Sequence, residues 1–230
     1  MKALINENVA KAFEIKTGIE AIPLKPYNRL DLPISAHADM LFCVLDNMVF
    51  CYEDYVIENS LLDVLVCSGK TVVNVRKSCS REYPNDIGLN VLIMGKTIFC
   101  NIKYAAKEIL EYASEHGYEI INVKQGYSAC STLVLNDNVA ITSDKSIAIA
   151  VEKSGKQAIL IDNSKIKLEG YNCGFIGGAS GVFAKDVYVF GDILTLTDGK
   201  RILDIINNLG FNIITVLFGD VCDFGGVKFI

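Results

Sequence analysis

The chain has 230 residues, of which 51% are hydrophobic, and it carries a net charge of −5 at pH 7. Its basic residues are scattered, which argues against binding to a nucleic-acid backbone, and its apolar runs are shorter than the roughly 20 residues that a membrane-spanning helix needs. The eight cysteines form no CxxC pair, and the chain has only two histidines, which argues against a structural zinc site. Glu7 and Lys11 interrupt the first apolar segment, so no export signal is expected. We therefore expect a cytoplasmic protein with no metal, no cofactor, no nucleic-acid partner and no membrane contact, whose oligomeric state the sequence leaves open.

One short pattern occurs five times: a glycine followed by an apolar segment rich in β-branched residues. The copies are Gly18–Lys25, Gly69–Arg76, Gly117–Lys124, Gly155–Asp162 and Gly210–Leu217. Glycine ends many helices because it adopts the left-handed conformation at little cost, and the segment after it is typical of a strand. Five such joints spread along the whole chain predict a repeat architecture and a single domain over residues 1–230.

Two strands and a helix are predicted upstream of each joint. In chain order the complete units are Leu41–Leu45, Met48–Tyr52 and helix Glu58–Val66; Val91–Met94, Thr97–Asn101 and helix Ala105–His116; Thr132–Leu135, Asn138–Thr142 and helix Lys145–Lys153; Gly181–Ala184, Val187–Phe190 and helix Gly199–Leu209. The remaining unit is split, because its helix Asn6–Thr17 and last strand lie at the N-terminus. Its first two strands are predicted within Val221–Ile230. A unit shared by both ends closes a ring, so the termini should be neighbours. Ser78–Asp86 is polar and predicts a surface connector.

Five ββαβ units around a pseudo-fivefold axis resemble the pentein, or guanidine-modifying-enzyme, superfamily. The segment Ser35–Phe42 resembles the His-x-Asp motif and following strand of its enzymes. The resemblance implies an α/β five-bladed β/α-propeller, closed by the two terminal segments, with a cysteine nucleophile, a histidine and guanidinium-binding carboxylates in a central channel. Gly225–Ile230 resembles the Gly-Gly-x-x-Cys segment of arginine deiminases, but Phe229 stands at the position of their nucleophile.

In such a ring, the residues just before the first strand of each blade should meet at the axis. These positions hold His37, Asp39, Asn90, Cys130, Ser131, Ser180 and Asp223. A cysteine attacks as the thiolate, which a neighbouring imidazolium favours. Cys130 and His37 are therefore the candidate catalytic pair, and Cys130 lies two blades after His37, the offset that the family's enzymes show. The candidates for substrate binding are Asp39, Asp223, Ser131, Ser180 and Asn90.

Each of these residues also has a structural interpretation. Cys130 beside a serine is compatible with a packed small residue, and Asp39 and Asp223 with turn formers. Two functions therefore stay open. One is a cysteine-dependent hydrolase or transferase of a guanidino or amidino small molecule. The other is a non-catalytic pentein that binds a small ligand or a macromolecular partner, as the superfamily's ribosome anti-association factor does. Phe229 favours the second function, and the convergence of His37, Asp39 and Cys130 favours the first.

Overall fold

The computed structural model describes residues 1–77 and 79–230, so Ser78, the first residue of the predicted connector, lies outside the described residues. In chain order the strands are β1 Lys2–Asn6, β2 Glu20–Leu24, β3 Phe42–Leu45, β4 Met48–Cys51, β5 Thr71–Asn74, β6 Leu92–Met94, β7 Thr97–Cys100, β8 Glu119–Asn122, β9 Thr132–Asn136, β10 Val139–Thr142, β11 Gln157–Leu160, β12 Ser180–Phe183, β13 Asp186–Val189, β14 Asn212–Thr215 and β15 Val227–Phe229. The helices are α1 Glu7–Thr17, α2 Ala38–Leu41, α3 Glu53–Glu58, α4 Leu62–Cys67, α5 Lys107–Glu115, α6 Lys145–Lys153 and α7 Gly199–Asn208, with 3-10 turns at Leu32–Ile34 and Ile193–Thr195.

The described strands form five three-stranded sheets, β15-β1-β2, β3-β4-β5, β6-β7-β8, β9-β10-β11 and β12-β13-β14. In every sheet the middle strand is antiparallel to the first and parallel to the third, and a helical segment precedes the third. Contacts of β15 with β3 and β12, and of β9 with β6 and β12, place the first strands side by side around the centre. We call β3, β6, β9, β12 and β15 the inner strands. The predicted five-bladed α/β architecture is confirmed.

A glycine stands between helix and third strand in each blade, as predicted. Gly18, Gly69, Gly117, Gly155 and Gly210 have φ between 71° and 79°. A Cβ atom at any of them would meet nothing within 4 Å. The left-handed backbone, rather than crowding, is therefore what requires glycine at these joints.

The blade that joins the termini differs from the prediction. Only β15 comes from the C-terminus, and the middle strand is β1, from the N-terminus, whose residues Ala3 to Ile5 are fully buried. The ring closes as expected, since the Lys2 amide donates to the Ile230 carbonyl at 2.8 Å and the reverse bond is 2.9 Å. Residues 221–226 are not a strand of this sheet; they form the loop that carries Asp223.

The helical part of the second blade was also predicted incorrectly. A single helix was expected over Glu58–Val66, but the structure has α3 and α4, separated by Ser60 at φ 55°. A residue with this left-handed φ cannot continue a right-handed helix. The break lets Tyr55 of α3 and Leu65 of α4 both reach the core, where each is fully buried.

The core consists of apolar clusters between the sheets and the helices that cover them. Cys43, Cys51 and Cys100 are buried in it as free thiols, which agrees with their prediction as small apolar residues. None of the helices within residues 1–77 and 79–230 is long and apolar enough to cross a membrane.

Candidate functional site

The segments that precede the inner strands meet at the centre of the ring. The Asp39 amide donates to the Gly225 carbonyl at 3.0 Å, which joins the second blade to the first. The Asn90 side chain then joins the second, third and fourth blades. Its Nδ2 donates to the Asp39 carbonyl at 3.1 Å, and its Oδ1 accepts from the Ala129 amide at 2.8 Å. Residues far apart in the sequence are thereby held in one buried cluster.

Cys130 lies inside this cluster with a fixed thiol. Asn90 Nδ2 is 2.8 Å from its Sγ, and Met40 Sδ is 3.9 Å from the same sulfur. The Cys130 amide also donates to Asn90 Oδ1, at 3.3 Å. Only 4% of the residue is exposed. Asn90 therefore orients both the backbone and the sulfur of Cys130.

His37 and Asp223 form the second part of the cluster, with 3.7 Å between His37 Nδ1 and Asp223 Oδ1. Asp223 accepts the Phe175 amide on Oδ2 at 2.9 Å and the Gly225 amide on Oδ1 at 3.0 Å. Gly225 has φ 80°, and a Cβ there would overlap His37. The backbone around this pair thus approaches as closely as only glycine permits.

Asp39 has the opposite environment. It is 3% exposed, yet neither carboxylate oxygen has a hydrogen-bond partner among the described residues. Burial of an unpaired carboxylate disfavours its charged form. This burial raises the pKa of Asp39 to about 6; the charges of His37 and Lys228 oppose the shift and Asp223 adds to it. Asp39 is the group in this cluster whose hydrogen-bonding capacity is unused.

The two carboxylates and their burial also determine the pKa directions of the neighbouring groups. Burial raises the pKa of Asp223, against the nearby His37 charge and the backbone hydrogen bonds. Burial, followed by the charges of Asp39 and Asp223, raises the pKa of the Cys130 thiol well above its usual value. In this environment Cys130 is therefore a neutral thiol. A bound cation would lower its pKa by offsetting the carboxylates.

Two cavities border the cluster. The upper pocket, about 1080 Å³, is lined by His37, Asp223 and Phe224 and by loop 164–172. The hub cavity, about 190 Å³, lies between the inner strands and is lined by Asp39, Ser180 and Lys228. Cys130 lines neither of these cavities.

The other predicted residues have different outcomes. Ser180 lines the hub cavity, but its hydroxyl donates to the Ile176 carbonyl at 2.6 Å. Ser131 is buried and its hydroxyl donates to the Ser128 carbonyl at 3.3 Å, so the structure does not bring it to either cavity. Sequence reasoning missed Met40 and Lys228. A signal for Lys228 existed, namely a lysine between apolar residues of an inner strand.

Phe229 does not lie in the cluster. Its ring packs against Phe183, Tyr188 and Phe13, at centroid distances of 5.2, 5.9 and 6.4 Å. Of the glycine pair in the same segment, Gly225 lies beside His37 and Gly226 lies against the backbone of Gly177 and Ser180. The C-terminal segment therefore supplies the surroundings of the histidine, and Phe229 does not fill the place of a nucleophile beside it. In the described part of the chain, no group of three or more His, Cys, Asp or Glu side chains could hold a metal ion.

Comparisons with known proteins agree with this architecture. Residues 2–228 match the family described as Family of unknown function (DUF6873), and no curated protein matches the chain. Among solved structures, the fold is similar to an amidinotransferase of the saxitoxin biosynthetic pathway from Microseira wollei (TM-score 0.58, 12% identity, 95% of this chain and 74% of that one). It is also similar to DDAH from Pseudomonas aeruginosa in complex with citrulline (0.54, 13%, 91% and 79%) and to C. jejuni agmatine deiminase (0.53, 9%, 89% and 72%). These are pentein-fold proteins, so the resemblance inferred from the sequence is confirmed for the fold.

Proposed function

We propose that this chain, which belongs to the DUF6873 family and has the pentein fold, is a cysteine-dependent hydrolase or transferase of a guanidino or amidino small molecule. The observation that carries the proposal is the Asp39 carboxylate, which is buried, accepts no hydrogen bond from a backbone amide or a charged side chain among the described residues, and lies beside the Cys130 thiol in the same cluster as Asp223. We further propose that residues 1–230 act as one domain, in a reducing cytoplasm where the eight cysteines stay free.

The ligand chemistry follows from what Asp39 lacks. Guanidinium and amidinium groups are planar cations with paired N–H donors, and such pairs match the two oxygens of a carboxylate. One such group would supply both missing donors of Asp39 and offset the negative charge of Asp39 and Asp223. Asp39 lines the hub cavity, whereas His37 and Asp223 line the upper pocket, so a ligand that contacts all three residues would have to reach from one cavity to the other.

The residues then have separate tasks in the reaction. The bound cation lowers the pKa of Cys130, and His37 accepts the thiol proton. The sulfur attacks the central amidino carbon, a C–S bond forms, and the C=N electron pair moves onto nitrogen. The C–N bond to the leaving amine breaks as His37 returns the proton to that nitrogen. Water, or an acceptor amine in a transferase, then displaces the sulfur and regenerates the thiol.

The solved relatives are consistent with this class, since they include a hydrolase, an amidinotransferase and a deiminase. At sequence identities of 9–13%, these structures support a common fold only. The proposed activity therefore depends on the geometry of this chain. The choice between hydrolase and transferase depends on which acceptor reaches the sulfur.

The test compares two electrophiles of similar size, cationic 2-chloroacetamidine and neutral iodoacetamide, at pH 7. Peptide mass spectrometry measures the labelling rate of every cysteine, and the exposed Cys67 corrects for intrinsic reagent reactivity. We expect chloroacetamidine to favour Cys130 over Cys67 by at least about tenfold more than iodoacetamide does, equivalent to about 1.4 kcal/mol. His37→Ala should remove the fast labelling, and Asp39→Asn should remove the preference for the cation. Equal preference for the two reagents would overturn the proposal.

A second candidate, a non-catalytic binding protein, is favoured by one observation: Cys130 is 4% exposed and lines neither cavity. For this function, calorimetry should show a guanidino ligand binding and Asp39→Asn abolishing that binding, while chloroacetamidine leaves Cys130 unmodified. Turnover of any guanidino compound that is lost in Cys130→Ser would contradict it.

A further inference from the structure

Lys228 is unusual for its position in the fold. The inner strands read FCVL, LIM, TLVLN, SGVF and VKF, all within the described residues, and Lys228 is their one charged side chain. These strands surround the axis and are mostly buried. A lysine at such a position costs free energy unless an anion accompanies it.

The neighbours of Lys228 fix the direction of its side chain. Val227 and Phe229 pack into the cluster that contains Phe13 and Tyr188, between the first and fifth blades. Since side chains alternate along a strand, Lys228 points to the other face of β15. That face is directed towards β3, and Lys228 lines the hub cavity together with Asp39.

Among the described residues, Lys228 has no ion-pair partner of its own. The eight ion pairs found among residues 1–77 and 79–230 do not include it, and it is half-buried. The charged and titratable groups that act on Asp39 are His37, Asp223, Lys228 and Cys130. Of these, His37 is already placed beside Asp223, at 3.7 Å. Lys228 is thus the cation that remains for Asp39.

We propose that Lys228 is a positioning residue that supplies, from within the hub cavity, the counter-charge that keeps Asp39 ionised and ready for a cationic ligand. The identity of the ligand rests on the proposed function. The charge interaction between Lys228 and Asp39 does not. The cavity of about 190 Å³ has room for water, and the polar side chains of Thr132 and Ser180 line it together with the two charged groups.

The net charge of the site indicates which ligands it would prefer. Together Asp39, Asp223 and Lys228 carry one net negative charge, which either a proton on His37 or one guanidinium or amidinium group would cancel. Without Lys228, two negative charges would remain in a buried site. Protonation of Asp39 would then relieve part of the repulsion and remove the acceptor that the ligand needs.

The test measures the ionisation of Asp39 directly and needs no catalytic activity. Isotope-edited infrared spectroscopy of protein with ¹³C-labelled aspartate follows the C=O band of the protonated carboxyl, and the difference from Asp39→Asn assigns the band. We expect a wild-type midpoint at pH about 6. In Lys228→Met we expect the midpoint to rise by about one pH unit, since a nearby cation commonly shifts a carboxyl by that amount.

Three further variants make the result specific. Lys228→Arg keeps the charge and should therefore retain the wild-type midpoint. Lys228→Gln is a smaller, polar change that guards against misfolding, and it should behave like Lys228→Met. Lys167→Met removes a lysine of the upper pocket that is paired with Asp220 at 2.6 Å, and it should leave the midpoint unchanged. An unshifted midpoint in both neutral variants at Lys228, or a shift that Arg does not reverse, would overturn the inference. Because the readout is independent of labelling at Cys130, this failure is distinguishable from failure of the proposed enzyme.

Discussion

The two carboxylates of the central cluster are buried equally but held in different ways. Asp223 accepts two backbone amides, from Phe175 and Gly225, and lies beside His37. Asp39 accepts no hydrogen bond from the described residues. The loop after β14 and the glycines around it are thus shaped to hold Asp223, whereas the short helix α2 presents Asp39 without any donor.

This difference indicates that the two carboxylates have different roles. A carboxylate with two amide donors is fixed and stabilises the fold, because each buried amide needs an acceptor. A carboxylate without donors lowers the stability of the fold, and such a cost is typical of functional sites. Asp223 therefore organises the cluster, and Asp39 is the group left available to a ligand.

The largest expected effect is at Asp223. Asp223→Ala leaves the buried Gly225 amide and the partly buried Phe175 amide without acceptors and removes the partner of His37, so the free energy of unfolding should fall by about 3–5 kcal/mol. Denaturant unfolding monitored by circular dichroism measures this. Asp223→Asn keeps one acceptor oxygen and should lose less than half as much. A loss below about 1 kcal/mol in the alanine variant would show that Asp223 does not organise the cluster.

A smaller loss is expected at Asn90, which connects Asp39 to Cys130. Asn90→Ala removes the acceptor of the Ala129 and Cys130 amides and should lower the free energy of unfolding by about 2–3 kcal/mol. It should also release the Cys130 thiol, so neutral iodoacetamide should label that residue faster than in the wild type. The exposed Cys67 serves as the internal reference. Unchanged stability together with unchanged labelling would mean that Asn90 does not fix the thiol.

The smallest effect, of opposite sign, is expected at Asp39. Since burial raises its pKa from the ordinary 3.8 to about 6, the folded protein binds this proton more tightly than the unfolded chain does. The contribution of Asp39 to stability therefore falls as the pH rises from about 4 to about 6 and is constant above that. Asp39→Asn should be more stable than the wild type by about 1–3 kcal/mol at pH 7.

The pH dependence provides the control for this prediction. The advantage of Asp39→Asn should shrink below pH 6, become small near pH 4 and vanish only at lower pH, where both the folded and the unfolded wild type carry a protonated carboxyl. Unfolding curves at several pH values measure it. An advantage that is the same at pH 4 and pH 7 would come from packing and would contradict the ionisation argument.

Much of the site was accessible from the sequence once the ring was inferred. Placing His37, Asp39, Asn90, Cys130 and Asp223 just before inner strands brought them to one centre, because equivalent positions of a closed repeat are neighbours. The packing of the Phe229 ring outside the central cluster was not predictable in this way. Its direction depends on the alternation within β15, whose register is set by pairing with β1.

The ionisation of the two aspartates could not be predicted from the sequence either. Whether a carboxylate is partnered depends on which backbone amides pass within about 3 Å, and that distance is set by glycines such as Gly225 in a loop from another blade. The sequence identified both aspartates as candidates on equal terms. Only the tertiary contacts distinguished the fixed carboxylate from the free one.

The sequence by itself determined the number of blades, the helix-to-strand joints and the closure of the ring, because periodic apolar segments and left-handed glycines are local signals that each residue carries with it. The tertiary structure decided which terminus supplies the middle strand of the shared blade, which side chains reach the hub, and how the charges of Asp39, Asp223, His37 and Lys228 balance. These depend on contacts between residues far apart in the sequence, such as Lys2 with Ile230 and Asp39 with Gly225. Burial makes such contacts decisive because it removes the water that would otherwise screen the charges and supply the missing hydrogen bonds.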